Sequence, residues 1–264
     1  MITPYFFDNG PARRLFGLYH SPSPSSASEP RPFGVLMCQP GPQEYQFSHR
    51  AFMTLSVALA RRGFHVLRFD WSGTGDSSGN AEDFSLADWQ EDVACAAREL
   101  RAVGGVERVA AVGMRLGATL LAMASAEGLA LADVILWDPV VRGAQYLDEL
   151  QEIQQRNLAL RHEHGTPRDG EVLGFVLTTK ERARLEQLDL LGTPRMHARD
   201  VRVACSRDSA DARALADRLA ARGVCARYEV VPDEEVLRKR ALLGESLVST
   251  IMVRHITELL GGKS

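Results

Sequence analysis

The densest chemical signal in the sequence is a five-residue stretch, Gly113-Met114-Arg115-Leu116-Gly117. Arg108 to Gly113 has the valine- and alanine-rich composition of a buried strand, and Leu116 to Ala126 has the pattern of a helix. The two glycines permit a sharp strand-to-helix turn that lifts Arg115 to the start of the helix. Unpaired N–H groups and the helix dipole favour negative charge there. A guanidinium added at that point suits a permanent anion such as a carboxylate, sulfate or phosphate. The alternative is that Arg115 folds back onto a structural carboxylate, Asp138 or Glu44, because an unpaired buried guanidinium is costly.

Other residues could do chemistry near it. Glu44 could serve as a general base or bind a cation, and an exposed loop glutamate is the alternative. His49, in Ser48-His49-Arg50, could donate or accept a proton, with a structural role the preferred reading. Asp138 ends a strand in Leu136-Trp137-Asp138-Pro139, where it moves a proton or caps the next element. Tyr45 and Trp137 could line a cavity, although aromatic packing is the default for both. Cys38 and Ser48 are the remaining nucleophiles, and Cys38, at a strand end, is expected to be buried. No metal is expected, since His162-Glu163-His164 lacks the i, i+4 spacing of a helical zinc pair. No cofactor is expected either, because neither a Walker sequence nor G-x-G-x-x-G follows the first strand of the alternating region.

These residues need a scaffold, and the periodicity supplies one. Tyr5 to Phe7 and Arg14 to Tyr19 flank the turn cluster Asp8-Asn9-Gly10-Pro11 and predict an opening hairpin. Ser21 to Pro32, rich in serine and proline, predicts a surface loop. Strands are then expected at Gly34 to Cys38, His65 to Asp70, Arg108 to Gly113, Asp133 to Trp137, Val201 to Cys205 and Ala226 to Val231. Helices are expected at Phe52 to Arg62, Leu86 to Val103, Leu116 to Ala126, Ala210 to Arg222 and about Leu247 to Leu260. The alternation predicts a parallel α/β sheet flanked by helices. Residues 143–195 break it as a charged, mostly helical segment interrupted at Gly165-Thr166-Pro167, read as a helical cap, with 1–142 and 196–264 as the core.

Composition limits the function. Hydrophobic residues make up 45% of the 264 and charged residues 25%, enough apolar material for a sizeable core. A net charge of −3 supplies no global field for nucleic acid. Only three of 31 basic residues are lysines, a bias of GC-rich bacterial genomes. Met1 to Pro11 has no leader pattern and no 18-residue apolar run occurs, so a cytoplasmic protein that does not enter membranes is expected. Cys38, Cys95, Cys205 and Cys225 are scattered and read as free thiols.

In these motifs the chain resembles the α/β-hydrolase superfamily. Gly113 to Gly117 keeps the frame of the nucleophile elbow G-x-S-x-G with arginine at the serine position. Asp70-Trp71-Ser72-Gly73-Thr74-Gly75-Asp76-Ser77 resembles the D-x-x-G-x-G-x-S segment after the preceding strand, and Gln39-Pro40-Gly41-Pro42-Gln43 stands where the oxyanion-hole loop belongs. The resemblance is closest to the serine-aminopeptidase-like branch, including bacterial hydrolases associated with exosortase systems. It implies a Ser-Asp-His triad and ester, amide or thioester hydrolysis. For an anion held at Arg115, Gly41, Gln43, Tyr45, Met114, Leu116 and Trp137 are the candidate binding residues.

The chain departs from that pattern twice. Arginine stays protonated and is no nucleophile. The loop where the base belongs, Val231-Pro232-Asp233-Glu234-Glu235-Val236, holds no histidine, and His255 falls within the terminal helix. Asp138, Asp208 and Asp211 stand where the fold can place a triad acid, with capping as the alternative role.

Three functions follow as expectations. The first is an enzyme of altered chemistry, holding an anionic small molecule on Arg115 while Glu44, His49 or Asp138 moves a proton. Elimination, cyclisation, substitution, or acyl transfer without an acyl-enzyme would fit, in a biosynthetic setting. The second is a non-catalytic subunit that binds a protein partner or forms a dimer, with Glu149, Glu152, Arg156, Arg161 and Glu163 offering a charged face. The third is a residual hydrolase using Cys38 or Ser48.

Overall fold

A computed structural model describes residues 1–11, 13–23, 33–161, 170–232 and 249–262, with backbone alone for 160 and 161. Eight strands form one sheet: β1 (Ile2–Asp8), β2 (Arg14–His20), β3 (Phe33–Cys38), β4 (His65–Phe69), β5 (Arg108–Met114), β6 (Leu131–Trp137), β9 (Ala198–Cys205) and β10 (Cys225–Val230). Their spatial order is β1-β2-β4-β3-β5-β6-β9-β10. β1 and β2 form the expected hairpin and join β4 antiparallel, and every later pairing is parallel.

The helices are α1 (Pro42–Arg61), α2 (Leu86–Gly104), α3 (Leu116–Ala126), α4 (Gly143–Arg161), α5 (Thr179–Glu186), α6 (Ala210–Ala221) and α7 (Thr250–Gly261). The strands divide their side chains between two helix layers because successive residues of a strand face opposite sides. Leu36, Leu67, Ala111, Leu136 and Val203 point to α2, α3 and α6. Val35, Val66, Val112, Ile135 and Ala204 point to α1 and α7. Both faces are covered, so the central strands are apolar almost throughout.

One expectation needs correction. The first helix begins at Pro42, ten residues before the predicted Phe52, so Glu44, Tyr45, Ser48 and His49 are helical residues and Glu44 does not lie in a loop. Pro42 sits in the first turn, where its preset φ fits and its missing N–H is not needed. The carbonyl of Gly41 accepts from the amides of Glu44 at 3.0 Å and Tyr45 at 3.1 Å. Gln43 to Arg50 is polar apart from Tyr45 and Phe47, so sustained apolar periodicity starts only at Ala51 and Phe52.

Among the described residues, the segment between β6 and β9 is mostly helical. Besides α4 and α5 it contains a small hairpin, β7 (Glu171–Val172) with β8 (Phe175–Val176). Its two-residue turn, Leu173-Gly174, has φ of 52° and 86°, a conformation suited to tight hairpins. Strands of two residues are too short for a period to register. The break at Gly165-Thr166-Pro167, the tail of the 231–236 loop from Asp233, and the predicted helix start at Leu247 lie outside the described residues. No helix among the described residues is long and apolar enough to cross a membrane.

Candidate functional site

The carboxyl ends of the parallel strands form the crevice where ligands of open α/β sheets bind. Arg115 occupies the turn from β5 to α3 with φ 53° and ψ −123°, one of three non-glycine residues with positive φ among those described. Its backbone is held on both sides. The Arg115 amide donates to the Trp137 carbonyl at 2.9 Å, and its carbonyl accepts from the amides of Ala118 at 3.0 Å and Thr119 at 3.3 Å. A residue in such a region costs about 1–3 kcal/mol and persists where its surroundings over-determine it.

The flanking glycines act through what they lack. Neither has a positive φ, contrary to a role in bending the chain. A Cβ on Gly113 would meet the Ala118 backbone at 2.5 Å, and one on Gly117 would collide with the carbonyls of Gln39 and Cys38. They allow α3 to sit against β5 and against the loop after β3. Gly117→Ala is therefore expected to cost about 3 kcal/mol or more. A denaturant midpoint that falls at unchanged m-value would show it, and an unshifted midpoint would refute it.

The Arg115 side chain is only 16% exposed and is shared between two carboxylates. Nε donates to Glu44 Oε1 at 2.8 Å, and Nη2 donates to Glu149 Oε2, on α4, at 2.5 Å. The Tyr146 hydroxyl donates to Glu44 Oε2 at 2.7 Å, and the guanidinium lies 5.3 Å from the centre of the Tyr146 ring. Arg207 Nη2 stands 3.8 Å from Glu149 Oε1. Two guanidinium and two carboxylate groups thus meet at the elbow. Burial alone would pull the Arg115 guanidinium down, but Glu44, then Glu149, hold it well above its ordinary value. Burial and then Glu44 push the Tyr146 phenol well up, so its proton stays on oxygen.

Two cavities meet at this group. An open cleft of about 360 Å³ is lined by Arg115, Arg142, Tyr146, Glu149, Arg207 and Asp211, among others. A smaller apolar pocket of about 30 Å³ is lined by Gln43, Phe84, Trp89, Leu116, Phe175 and Leu177, and again by Tyr146. Tyr146, 3% exposed, is the wall common to both.

Of the residues expected at the site, Arg115 and Glu44 are in direct contact, and Gly41, Gln43 and Leu116 adjoin them. A Cβ on Gly41 would lie 3.3 Å from the Tyr146 hydroxyl and 3.4 Å from Leu116. Gln43 and Leu116 line the apolar pocket. Met114 and Trp137 are each 1% exposed, and Trp137 stacks on Phe52 at 6.2 Å in the core beneath α1. Neither lines the two cavities.

Asp138 does not pair with Arg115. Its carboxylate accepts from the Ser206 amide at 2.8 Å and the Ser206 hydroxyl at 2.5 Å, which ties the ends of β6 and β9 together. His49 turns to its own helix, with Nδ1 3.0 Å from the Tyr45 hydroxyl. Burial, then Arg68, lowers the His49 imidazole. Asp211 pairs with Arg142 at 3.1 Å, and Asp208 with Arg213 at 2.6 Å.

The alternative nucleophiles are occupied or inert. Burial pushes the Cys38 thiol up, and the buried Ser48 hydroxyl donates to the carbonyls of Glu44 and Tyr45, both at 3.2 Å. His255 is in α7, with Nε2 3.1 Å from Glu229 Oε1 on β10. On α4, Glu152, at the edge of the cleft, pairs with Arg156 at 3.2 Å. The side chain of Arg161, and His162, Glu163 and His164, lie outside the described residues. No group of acidic, His and Cys side chains able to hold a metal occurs among the described residues.

Sequence reasoning did not assign Tyr146, Arg142 or Arg207 to the site, and it read Glu149 as part of a partner face. The i, i+3 spacing of Tyr146 and Glu149 on one helix face was the available signal.

With this geometry in place, comparison with known proteins defines the class. The model of the alpha/beta hydrolase family matches residues 35–246, and the chain belongs to that family. No curated protein matches the sequence. Solved structures share the fold at low identity. A hypothetical protein from Pseudomonas aeruginosa superposes with a TM-score of 0.67 at 15% identity, over 100% of this chain and 94% of that one. A highly thermostable carboxyl esterase from Bacillus coagulans, in complex with glycerol, gives 0.63 at 12% identity over 99% and 98%. Alpha/beta hydrolase domain-containing protein 10 from mouse gives 0.59 at 15% identity over 99% and 100%.

Proposed function

We propose that this chain is a non-hydrolytic member of its family, a biosynthetic enzyme of altered chemistry. In this reading Arg115 takes the place of the nucleophilic serine and holds an anionic group of a small molecule in the cleft. The observation that carries the reading is the convergence of three guanidinium groups, Arg115, Arg142 and Arg207, on one open cleft above the elbow. Glu44 does not line the cleft; it holds Arg115 through one oxygen and accepts from the Tyr146 hydroxyl through the other, so in this reading it positions the guanidinium. Elimination, substitution or acyl transfer without an acyl-enzyme fits a site with a cation where a nucleophile would stand.

The cleft carries no excess of positive charge, since Asp148, Glu149, Glu152 and Asp211 also line it. An anion therefore binds by exchange: its oxygens take over hydrogen bonds that internal carboxylates make in the empty site. Exposed ion pairs contribute only about 0–1 kcal/mol each, so exchange at Arg142 and Arg207, 41% and 48% exposed, costs little.

Calorimetry with a panel of small carboxylates, sulfates and phosphates tests the reading. Arg115→Ala is expected to abolish binding and Arg207→Ala to weaken it about tenfold, or about 1.4 kcal/mol. Unchanged affinity in both variants would sink the proposal. Activated esters provide a second check. The native protein and Arg115→Ser should both stay at background rates, because no histidine among the described residues lines the cleft to take a proton from a serine at 115. Turnover of p-nitrophenyl acetate by the native protein would return the hydrolase reading.

A further inference from the structure

We infer that Glu149 sits where a ligand carboxylate binds, and that the ligand is a carboxylate with an apolar body that reaches past Tyr146 into the adjoining pocket. The inference rests on the reading of Arg115 as an anion site and adds what the anion is and how it enters.

The two carboxylates on Arg115 are not equivalent. Glu44 belongs to α1 in the core, its second oxygen is held by the Tyr146 hydroxyl, and it does not line the cleft. Glu149 belongs to α4 in the segment inserted between β6 and β9, and it does line the cleft. Arg207, about half exposed, stands 3.8 Å from its other oxygen. Glu149 is therefore the partner that an incoming carboxylate can replace with like chemistry, one guanidinium–carboxylate pair for another.

Displacing Glu149 also affects the wall of the apolar pocket. Tyr146 lies one helical turn before Glu149 on the same face of α4, so a shift of that helix away from Arg115 carries Tyr146 with it. The pocket behind it is lined by Phe84, Leu86, Trp89, Leu116, Phe175 and Leu177. The buried carboxylate at its edge, Glu181, is already engaged by Arg184 at 2.6 Å and by the amide of Leu86 at 3.0 Å. At about 30 Å³ the closed pocket holds no more than a water-sized group. An apolar body enters it only when Tyr146 moves, which couples recognition of the tail to release of the Glu149 pair. A small carboxylate without a tail obtains the ion pair but no apolar burial.

The experiment is calorimetry with acetate, butyrate, hexanoate, octanoate and neutral hexanol, on the native protein, Glu149→Gln and Arg115→Ala. Glutamine keeps the shape of the side chain and removes the competing charge. Carboxylate affinity is expected to rise with chain length, and Glu149→Gln is expected to raise it about tenfold while leaving hexanol unaffected. A flat dependence on chain length overturns the apolar body. Carboxylate affinity unchanged or weakened in Glu149→Gln, with binding still lost in Arg115→Ala, overturns the displacement and leaves the anion site standing. Octanoate affinity unchanged in Arg115→Ala removes the underlying site as well.

Discussion

Replacing Glu44 by alanine is expected to lower stability by about 4 kcal/mol, the largest loss from any carboxylate at the site. Two costs combine. The Arg115 guanidinium, 16% exposed, loses its 2.8 Å partner and keeps only Glu149, and breaking a buried ion pair on one side costs about 3–5 kcal/mol when nothing remains to compensate. The retained Glu149 reduces that cost. The Tyr146 hydroxyl, in a side chain 3% exposed, loses its acceptor, which adds about 1–3 kcal/mol. For a chain of this length the sum corresponds to a drop in Tm of about 10 °C. Glu44→Gln keeps an acceptor for Tyr146 and should lose less. Tyr146→Phe in each background isolates the coupling, since a cycle measures the pair and not the residues. A Glu44→Ala midpoint within 2 °C of native, an order-of-magnitude bound on about 1 kcal/mol, would mean that the charge group does not bind α4 to the core.

The same group shows how far the sequence was legible. The sheet was readable because both of its faces are covered, which makes β3, β5 and β6 continuous apolar runs bounded by turn residues. Arg115 was readable because Gly113 and Gly117 keep a frame that only a close strand–helix contact requires. Glu44 was named among its possible partners, and so was Asp138, which is instead spent on Ser206. No local pattern distinguishes the two. Ser206 lies 68 positions beyond Asp138 and becomes its neighbour only because β6 and β9 are adjacent.

Tyr146 and Glu149 were hidden for a different reason. Their spacing is visible, but α4 has weak amphipathicity because its two sides meet the elbow and solvent with polar groups alike. Which side faces Arg115 depends on how the insertion docks, and short-range periodicity carries no record of that. The start of α1 was missed on similar grounds, since its first turn faces the site with the polar side chains of Gln43 and Glu44.

Arg115→Ala and Arg115→Gly together separate what the elbow costs from what its side chain contributes. Both remove the cation from between Glu44 and Glu149 and leave two carboxylates near each other in a largely buried place. A loss of about 3–5 kcal/mol is expected from either. Alanine must still adopt φ 53° and ψ −123°, whereas glycine takes that conformation without steric cost. Arg115→Gly should therefore be the more stable of the two by about 1 kcal/mol, read as the difference in denaturant midpoints at equal m-value. Equal midpoints would mean that the turn is not strained, and that nothing in the backbone selects against arginine there. If the difference is found, the elbow retains a strained non-glycine residue although a glycine would relieve the strain. The reason then lies in the guanidinium, which offsets the backbone cost by joining α1 and α4 over the crevice.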